Sequence, residues 1–207
     1  IRNLNIVDDT SGGVAWNIRT KAAGTTVDNV NITRTDPDAG INNPPINFID
    51  VSSATVTDSS LTNGAINVRL LKGGTATIQN NDFSMPDDLP IAFFVQGQGF
   101  RPLPNNVDLT VENNGVVISN KSEDGHIRGY TTVAGPFKSE DHTIAEGGTV
   151  AVPPGTYDQV ADIDVANVTL TSTAGAEQTT LDISNRINIP ADNVTVDGFS
   201  VTFEEQA

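Results

Sequence analysis

Short alternations of apolar and polar residues, each broken by Asn, Asp or Gly, recur along this chain at similar intervals. The phrase Val27-Asp28-Asn29-Val30-Asn31-Ile32 returns as Val56-Thr57-Asp58-Ser59-Ser60-Leu61 and as Ile78-Gln79-Asn80-Asn81-Asp82-Phe83. It is preceded by Ile1-Arg2-Asn3-Leu4-Asn5-Ile6 and followed, near the end, by Val196-Asp197-Gly198-Phe199-Ser200-Val201. Between the first residues of the first four phrases the intervals are 26, 29 and 22 residues. A strand, a bend and a second strand repeated at this period form a solenoid signature, because each repeat buries its apolar face only by stacking on its neighbours. The same alternation fills 107–111, 168–171, 181–183, 187–189 and 194–196, with β-branched residues on one face and polar residues on the other. Gly, Asn, Asp and Pro clusters lie between these strands and supply turns. Helical periodicity is nearly absent, so the expected class is all-β.

The pattern divides the chain. Coils run over 1–118, interrupted by a Pro/Gly-rich insert at 85–104 that contains the most apolar run, Ile91-Ala92-Phe93-Phe94-Val95. That run is expected to pack over an open face or end of the coil. Residues 119–141 read as a polar connection, and 142–207 read as a new start. This start carries Ile144-Ala145-Glu146-Gly147-Gly148-Thr149-Val150-Ala151-Val152-Pro153-Pro154-Gly155-Thr156-Tyr157. Here the sequence resembles the right-handed parallel β-helix proteins of the pectin-lyase-like superfamily, whose first coil commonly opens with a Gly-Thr-Val-x-Val-x-Pro-Gly-Thr-Tyr phrase. Val168-Thr169-Leu170, Thr180-Leu181-Asp182-Ile183 and Asp192-Asn193-Val194-Thr195-Val196-Asp197-Gly198-Phe199 look like the coils that follow it. The resemblance is specific over 144–202 and rests on the coil phrase alone over 1–118. It implies a right-handed parallel β-helix, here in two segments of permuted order. The family often caps its first coil with a helix, but 135–142 is too short and too interrupted by Pro and Gly to supply one. The start of the solenoid is then bare unless something else covers it.

The order of the parts carries the functional expectation. The opening phrase lies in the second half and is followed by about two coils, whereas the first half enters in mid-pattern at Ile1, without a Met, as a processed protein or a piece of a longer one would. Each open end would expose unpaired backbone groups around an apolar cross-section, which is an aggregation liability unless paired. The simplest pairing sets Phe199, Val201 and Phe203 of one subunit beneath Ile1, Leu4 and Ile6 of the next, continuing the stack at about 4.8 Å per strand. Such a head-to-tail contact makes an open fibre when its rotation does not close. The expectation is therefore a structural subunit of an extracellular filament or cell-surface array, with itself as partner and cell-envelope or polysaccharide components as neighbours. Two alternatives stay open: a fragment of a longer tandem β-helix, and closure of the two halves within one molecule. A rival of another class is a polysaccharide-binding or polysaccharide-cleaving β-helix such as an adhesin, a spike or a lyase-like protein.

Charge and chemistry narrow these readings. Acids outnumber bases 26 to 11, a net charge of −15, which argues against nucleic acid and anionic membrane surfaces as partners. The same acidity suits a soluble exposed surface, a high-salt habitat or calcium. Cysteine is absent, so disulfides and thiolate metal sites are excluded, although the compartment is not thereby fixed. No run of about 18 apolar residues exists, and no membrane insertion is expected. Polysaccharide hydrolysis needs paired carboxylates about 5–9.5 Å apart. Asp8-Asp9 and Asp87-Asp88 are adjacent pairs that alternation sends to opposite faces, as turn decorations. Gly125-His126-Ile127-Arg128 breaks the family's Gly-His-Gly motif, so no catalytic residue is assigned; His126 and His142 read as exposed polar residues. Asp162 and Asp164 share one strand face and are weak candidates for a structural Ca²⁺, the sole cofactor considered. Of the aromatics suited to sugar stacking, Trp16, Tyr130 and Tyr157, Trp16 alone sits in an open loop. Four sequons offer glycan attachment at Asn120, Asn31, Asn167 and Asn193. Asn120 lies in the polar connection; the others sit at strand entries, where Asn commonly stacks on Asn in a ladder.

Overall fold

The computed structural model describes residues 1–9, 16–36, 44–86, 90–120, 122, 124–138, 144–158, 162–183 and 187–203. They form an all-β chain of two compact units, Ile1–Gly115 and Val116–Ala207. No helix among the described residues is long and apolar enough to cross a membrane. The predicted pairs Asp87-Asp88 and residue His142 lie outside the described residues.

The first unit holds β1 (Arg2–Asp8), β2 (Ile18–Thr20), β3 (Thr25–Arg34), β4 (Ile46–Thr57) and β5 (Ser60–Thr62). It continues with β6 (Ile66–Gln79), β7 (Asp82–Ser84), β8 (Ile91–Gly97) and β9 (Asp108–Glu112). Its strands pair in parallel: β1 on β3, β3 on β4 and β5, β4 on β6, and β6 on β8 and β9. Arg2 faces Asp28, Val27 faces Val56 and Val56 faces Ile78, intervals of 26, 29 and 22 residues. These are the intervals of the recurring phrase; Ile78 then faces Val111 after 33 more. Parallel strands with this spacing are compatible with a solenoid.

Stacking in register places like residues in buried columns. Val27, Val56 and Ile78 form one, Ile32 and Leu61 another, and Ile46, Ile66 and Phe93 a third. Each such side chain contributes about 1.5–3 kcal/mol through its removal from water. The third column corrects the expectation for the insert. Of the two expected places, an open face or an end of the coil, the 91–95 run does not lie over an open face: it is β8, a strand that extends the stack in register with β6. Both of its faces are covered, and a strand buried on both sides shows no alternation in sequence.

The bends explain the Asn and Asp positions. Asn3, Asn29, Asp58, Asn80 and Asn113 all have φ between 50 and 55°, a left-handed conformation that Asn and Asp tolerate better than other side chains. Their side chains stack: the Nδ2 of Asn29 donates to Asn3 at 2.7 Å, and those of Asn80 and Asn113 donate to Asp58 and Asn80 at 3.2 Å. The next residue in each phrase turns inward. Asn81 Oδ1 accepts the Ser59 N–H at 3.1 Å while its Nδ2 donates to the Val56 carbonyl at 3.0 Å. Asn114 repeats this for Asn81 N–H and the Ile78 carbonyl. These amides satisfy backbone groups that the bend removes from the ladder. Asn81→Ala strands the Ser59 donor and the Val56 acceptor, each worth about 1–3 kcal/mol when buried and unmet. The expected result is a loss of about 3 kcal/mol, read as a lower urea midpoint at unchanged m-value.

The second unit opens on β10 (Val117–Ser119), β11 (Ile127–Tyr130) and the four-residue helix α1 (Gly135–Lys138). Two parallel stacks follow. One is β12 (Thr149–Val152), β14 (Thr169–Ser172) and β16 (Thr195–Asp197); the other is β13 (Gly155–Tyr157), β15 (Thr179–Ile183) and β17 (Ser200–Phe203). Val150, Leu170 and Val196 stack, as do Tyr157, Leu181 and Val201. The opening phrase is not bare. β12 pairs antiparallel with β10, which pairs antiparallel with β11, so the segment expected as a polar connection contributes strands and buries Tyr130, Val133, Ala134 and Phe137.

Candidate functional site: two free strand edges

On and beside β1 the residues of the inward columns are present but only partly covered by the described residues. Ile1 donates its amino group to the Thr26 carbonyl at 2.8 Å and stands over the Val27 column. Leu4 faces buried Val30 and Ile6 faces buried Ile32. Yet Ile1 is 51% and Leu4 42% exposed, and Ile6 is half-buried. β17 shows the same condition in the second unit: Val201 faces buried Leu181 and Phe203 faces buried Ile183, while themselves 41% and 64% exposed. Phe199, one residue before β17, is half-buried, and Ile189 in the same last pass is exposed. Positions buried in every inner pass thus open to solvent in the first pass of one unit and the last pass of the other. All six sequence-expected interface residues fall on these two edges, three on each.

Asp8 departs from its expectation as a turn decoration. It is buried at the end of β1, its Oδ2 3.3 Å from Nε of buried Arg34 and 3.1 Å from the Asn17 amide donor. Burial lowers the Arg34 guanidinium pKa, with Asp8 opposing that shift. The two residues are 26 apart, one repeat, so the period itself was the signal that pairs them. Asp9 is exposed.

His126 also departs from expectation, being buried rather than exposed. Its Nδ1 lies 2.9 Å from Asp124 Oδ2, and the same carboxylate receives both terminal nitrogens of buried Arg128, one at 2.8 Å. Ser122 Oγ is 2.8 Å from Asp124 Oδ1 and 2.7 Å from the His126 carbonyl, and also receives Arg128 Nη1. Burial alone would raise the Asp124 pKa; hydrogen bonds from His126, Arg128 and Ser122 outweigh it and hold the carboxyl well below the usual range. A Ser, a His and an Asp therefore meet, but the Ser hydroxyl is sealed inside and spent on a carbonyl and a carboxylate. The cluster ties down the turn between β10 and β11 and presents no nucleophile.

The remaining candidates separate by environment. Asp162 and Asp164 are exposed on either side of buried Ile163, and no group of three or more His, Cys, Asp or Glu suited to a metal occurs among the described residues. Asn167 and Asn193 occupy left-handed bends at φ 60 and 56°, and Asn167 Nδ2, the atom a glycan would take, donates to Glu146 at 2.6 Å. Asn31 is exposed in β3 between Asn5 and Ser60. Asn120 is exposed; its Oδ1 accepts the Thr149 N–H at 2.8 Å, while the sequon hydroxyl of Ser122 is buried.

Tyr130 is fully buried, and Tyr157 is tied through its hydroxyl to the Pro153 carbonyl at 3.0 Å. Trp16 is partly exposed beneath the Arg19 guanidinium. The most open aromatic is Phe100, 69% exposed at φ 62°, which the sequence reading missed by weighing Trp and Tyr alone. Arg69 lies 4.6 Å from its ring centroid and 3.5 Å from Asp50. Beside it a groove of about 520 Å³ is lined by Asp50, Leu70, Lys72, Gln98, Arg101 and Pro102.

Comparison with family models, with curated proteins and with solved structures finds no match to this chain.

Proposed function

We propose that the chain is a right-handed parallel β-helix of the pectin-lyase-like kind, acting as a structural subunit of an extracellular filament or cell-surface array. Copies polymerise head to tail, the last coil of one continuing into the first coil of the next. The observation that carries this reading is the pair of open edges: among the described residues, Ile1 and Leu4 on one and Val201 and Phe203 on the other are exposed although the residues they stack on are buried, with Ile6 and Phe199 half-buried beside them. Strand addition across such edges draws affinity from main-chain hydrogen bonds and specificity from alternating side chains. Negative-stain electron microscopy with sedimentation over a dilution series tests it. Filaments with an axial repeat of a few nanometres support end-to-end completion, whereas a monomer at every concentration removes it.

One observation favours a second reading, polysaccharide binding. Phe100 offers an exposed ring in a left-handed conformation that costs a side chain about 1–2 kcal/mol, and polar groups line the groove beside it. Strain of this kind gathers at ligand sites. Phe100→Gly relieves the strain but loses the Arg69 contact, worth about 0.5–1 kcal/mol, so stability moves little. If the groove binds glycan, retention in affinity electrophoresis through polysaccharide gels falls at least about tenfold with this variant. Equal retention by both proteins counts against the reading.

A further inference from the structure

We infer that the junction between two copies has a single register, with Val196 of one copy beside Ile1 of the next, Asp197 beside Arg2, Gly198 beside Asn3, Phe199 beside Leu4 and Val201 beside Ile6. The inference rests on the head-to-tail reading and specifies its contact.

Bend geometry supplies the first argument. Pairing of Arg2 with Asp28, Asp28 with Thr57, Thr57 with Gln79 and Gln79 with Glu112 sets each following left-handed residue on the next, from Asn3 to Asn113. Throughout this stack a bend meets a bend. In the last pass the equivalent bend is Gly198, φ 79°, between β16 and β17. A new coil laid on that edge as coils are laid in the first unit brings its own left-handed residue to Gly198, and in the first pass that residue is Asn3. Slipping by one residue would also send every inward side chain outward.

Charge supplies the second argument, independent of the first. In three of the four pairings of the first unit, the outward residue just before the bend makes a complementary contact with the next pass. Arg2 Nε lies 3.2 Å from Asp28 Oδ2, Thr57 donates to Asp28 at 3.0 Å, and Gln79 donates to Glu112 at 3.0 Å. Asp197 is the residue at this position in the last pass, and it is exposed. Arg2, exposed in a chain of net charge −15, would stand between two carboxylates, its own Asp28 and the neighbour's Asp197. Copies of such an acidic chain repel one another, so a cation placed on this edge opposite an anion favours this one alignment.

The absence of cysteine allows the register to be read directly. Arg2→Cys combined with Asp197→Cys places two outward thiols on facing positions of neighbouring parallel strands, about 5 Å apart at Cα, within disulfide reach. Arg2→Cys with Thr195→Cys offsets them by two residues, to about 8 Å, outside it. Mild oxidation of the assembled protein is expected to convert the first variant into a covalent ladder on non-reducing gels. The offset variant should yield at least about tenfold less, with the ladder of the first collapsing on reduction. A ladder from the offset pair, or filaments linked by neither pair, overturns the register while leaving head-to-tail assembly in place. A fast-migrating linked monomer assigns the contact to a single chain and overturns the inference. Absence of any polymer from the untreated wild type removes the filament reading itself.

Discussion

Val201→Asp yields a folded protein that no longer assembles. In the free subunit Val201 is 41% exposed, so a carboxylate there keeps water and costs the monomer little. At the proposed junction the same position lies under Ile6 of the next copy, within a column that continues through Leu181 and Tyr157. An ionised carboxylate has no cation in that column and must be buried unpaired or protonated, at a cost of several kcal/mol. About 3 kcal/mol per junction raises the concentration at which polymer forms by more than about a hundredfold. Phe199→Asp acts in the same way through Leu4. Val201→Ile, which keeps the column apolar, should assemble within a few-fold of wild type. Because the defect is burial of charge and not surface repulsion, raising salt from about 0.1 M to about 1 M should not restore assembly, although it screens exposed pairs well. Full-length filaments of Val201→Asp at wild-type concentrations, seen in negative stain and confirmed by sedimentation, would falsify the proposed contact.

The features legible in the sequence are those that impose a local composition. Each pass needs a left-handed bend, and Asn29, Asp58 and Asn80 mark those bends while the flanking Val, Ile and Leu mark the columns. Their spacing therefore reappears as strand register. Features that depend on what lies across the core were harder to see. β8 is covered on both faces and has no alternation to reveal it, so its run of apolar residues read as a covering insert. The Asp8–Arg34 pair joins residues a full repeat apart, so only the period, and nothing in the Asp-Asp dipeptide itself, points to the buried partner. Asp124, His126 and Arg128 looked like a linker because polar residues that satisfy one another inside resemble polar residues that face water. The two edges were legible as apolar column residues at the limits of the pattern. Their openness was not, since that depends on every other pass being covered.

Asp124→Ala should strongly destabilise the second unit. It leaves the Arg128 guanidinium, 3% exposed as a side chain, without the carboxylate that both its terminal nitrogens address. Losing one member of a buried pair costs about 3–5 kcal/mol, and the low end applies because Asp124 is itself about a third exposed and partly screened. Asp124→Asn should recover part of the loss, since its carbonyl still accepts one hydrogen bond. The same group sets the acid limit of the second unit. Its folded pKa lies below its unfolded value, near 3.9 for a free Asp, so the unfolded chain binds the proton more readily. The stability it contributes is complete above that unfolded value and is lost progressively as pH falls toward the depressed folded one. Thermal unfolding followed from pH 7 to pH 2 should show wild type losing more stability below about pH 4 than Asp124→Ala, the two curves converging in acid. Parallel curves over that range would mean that the Asp124 carboxylate does not hold the turn between β10 and β11.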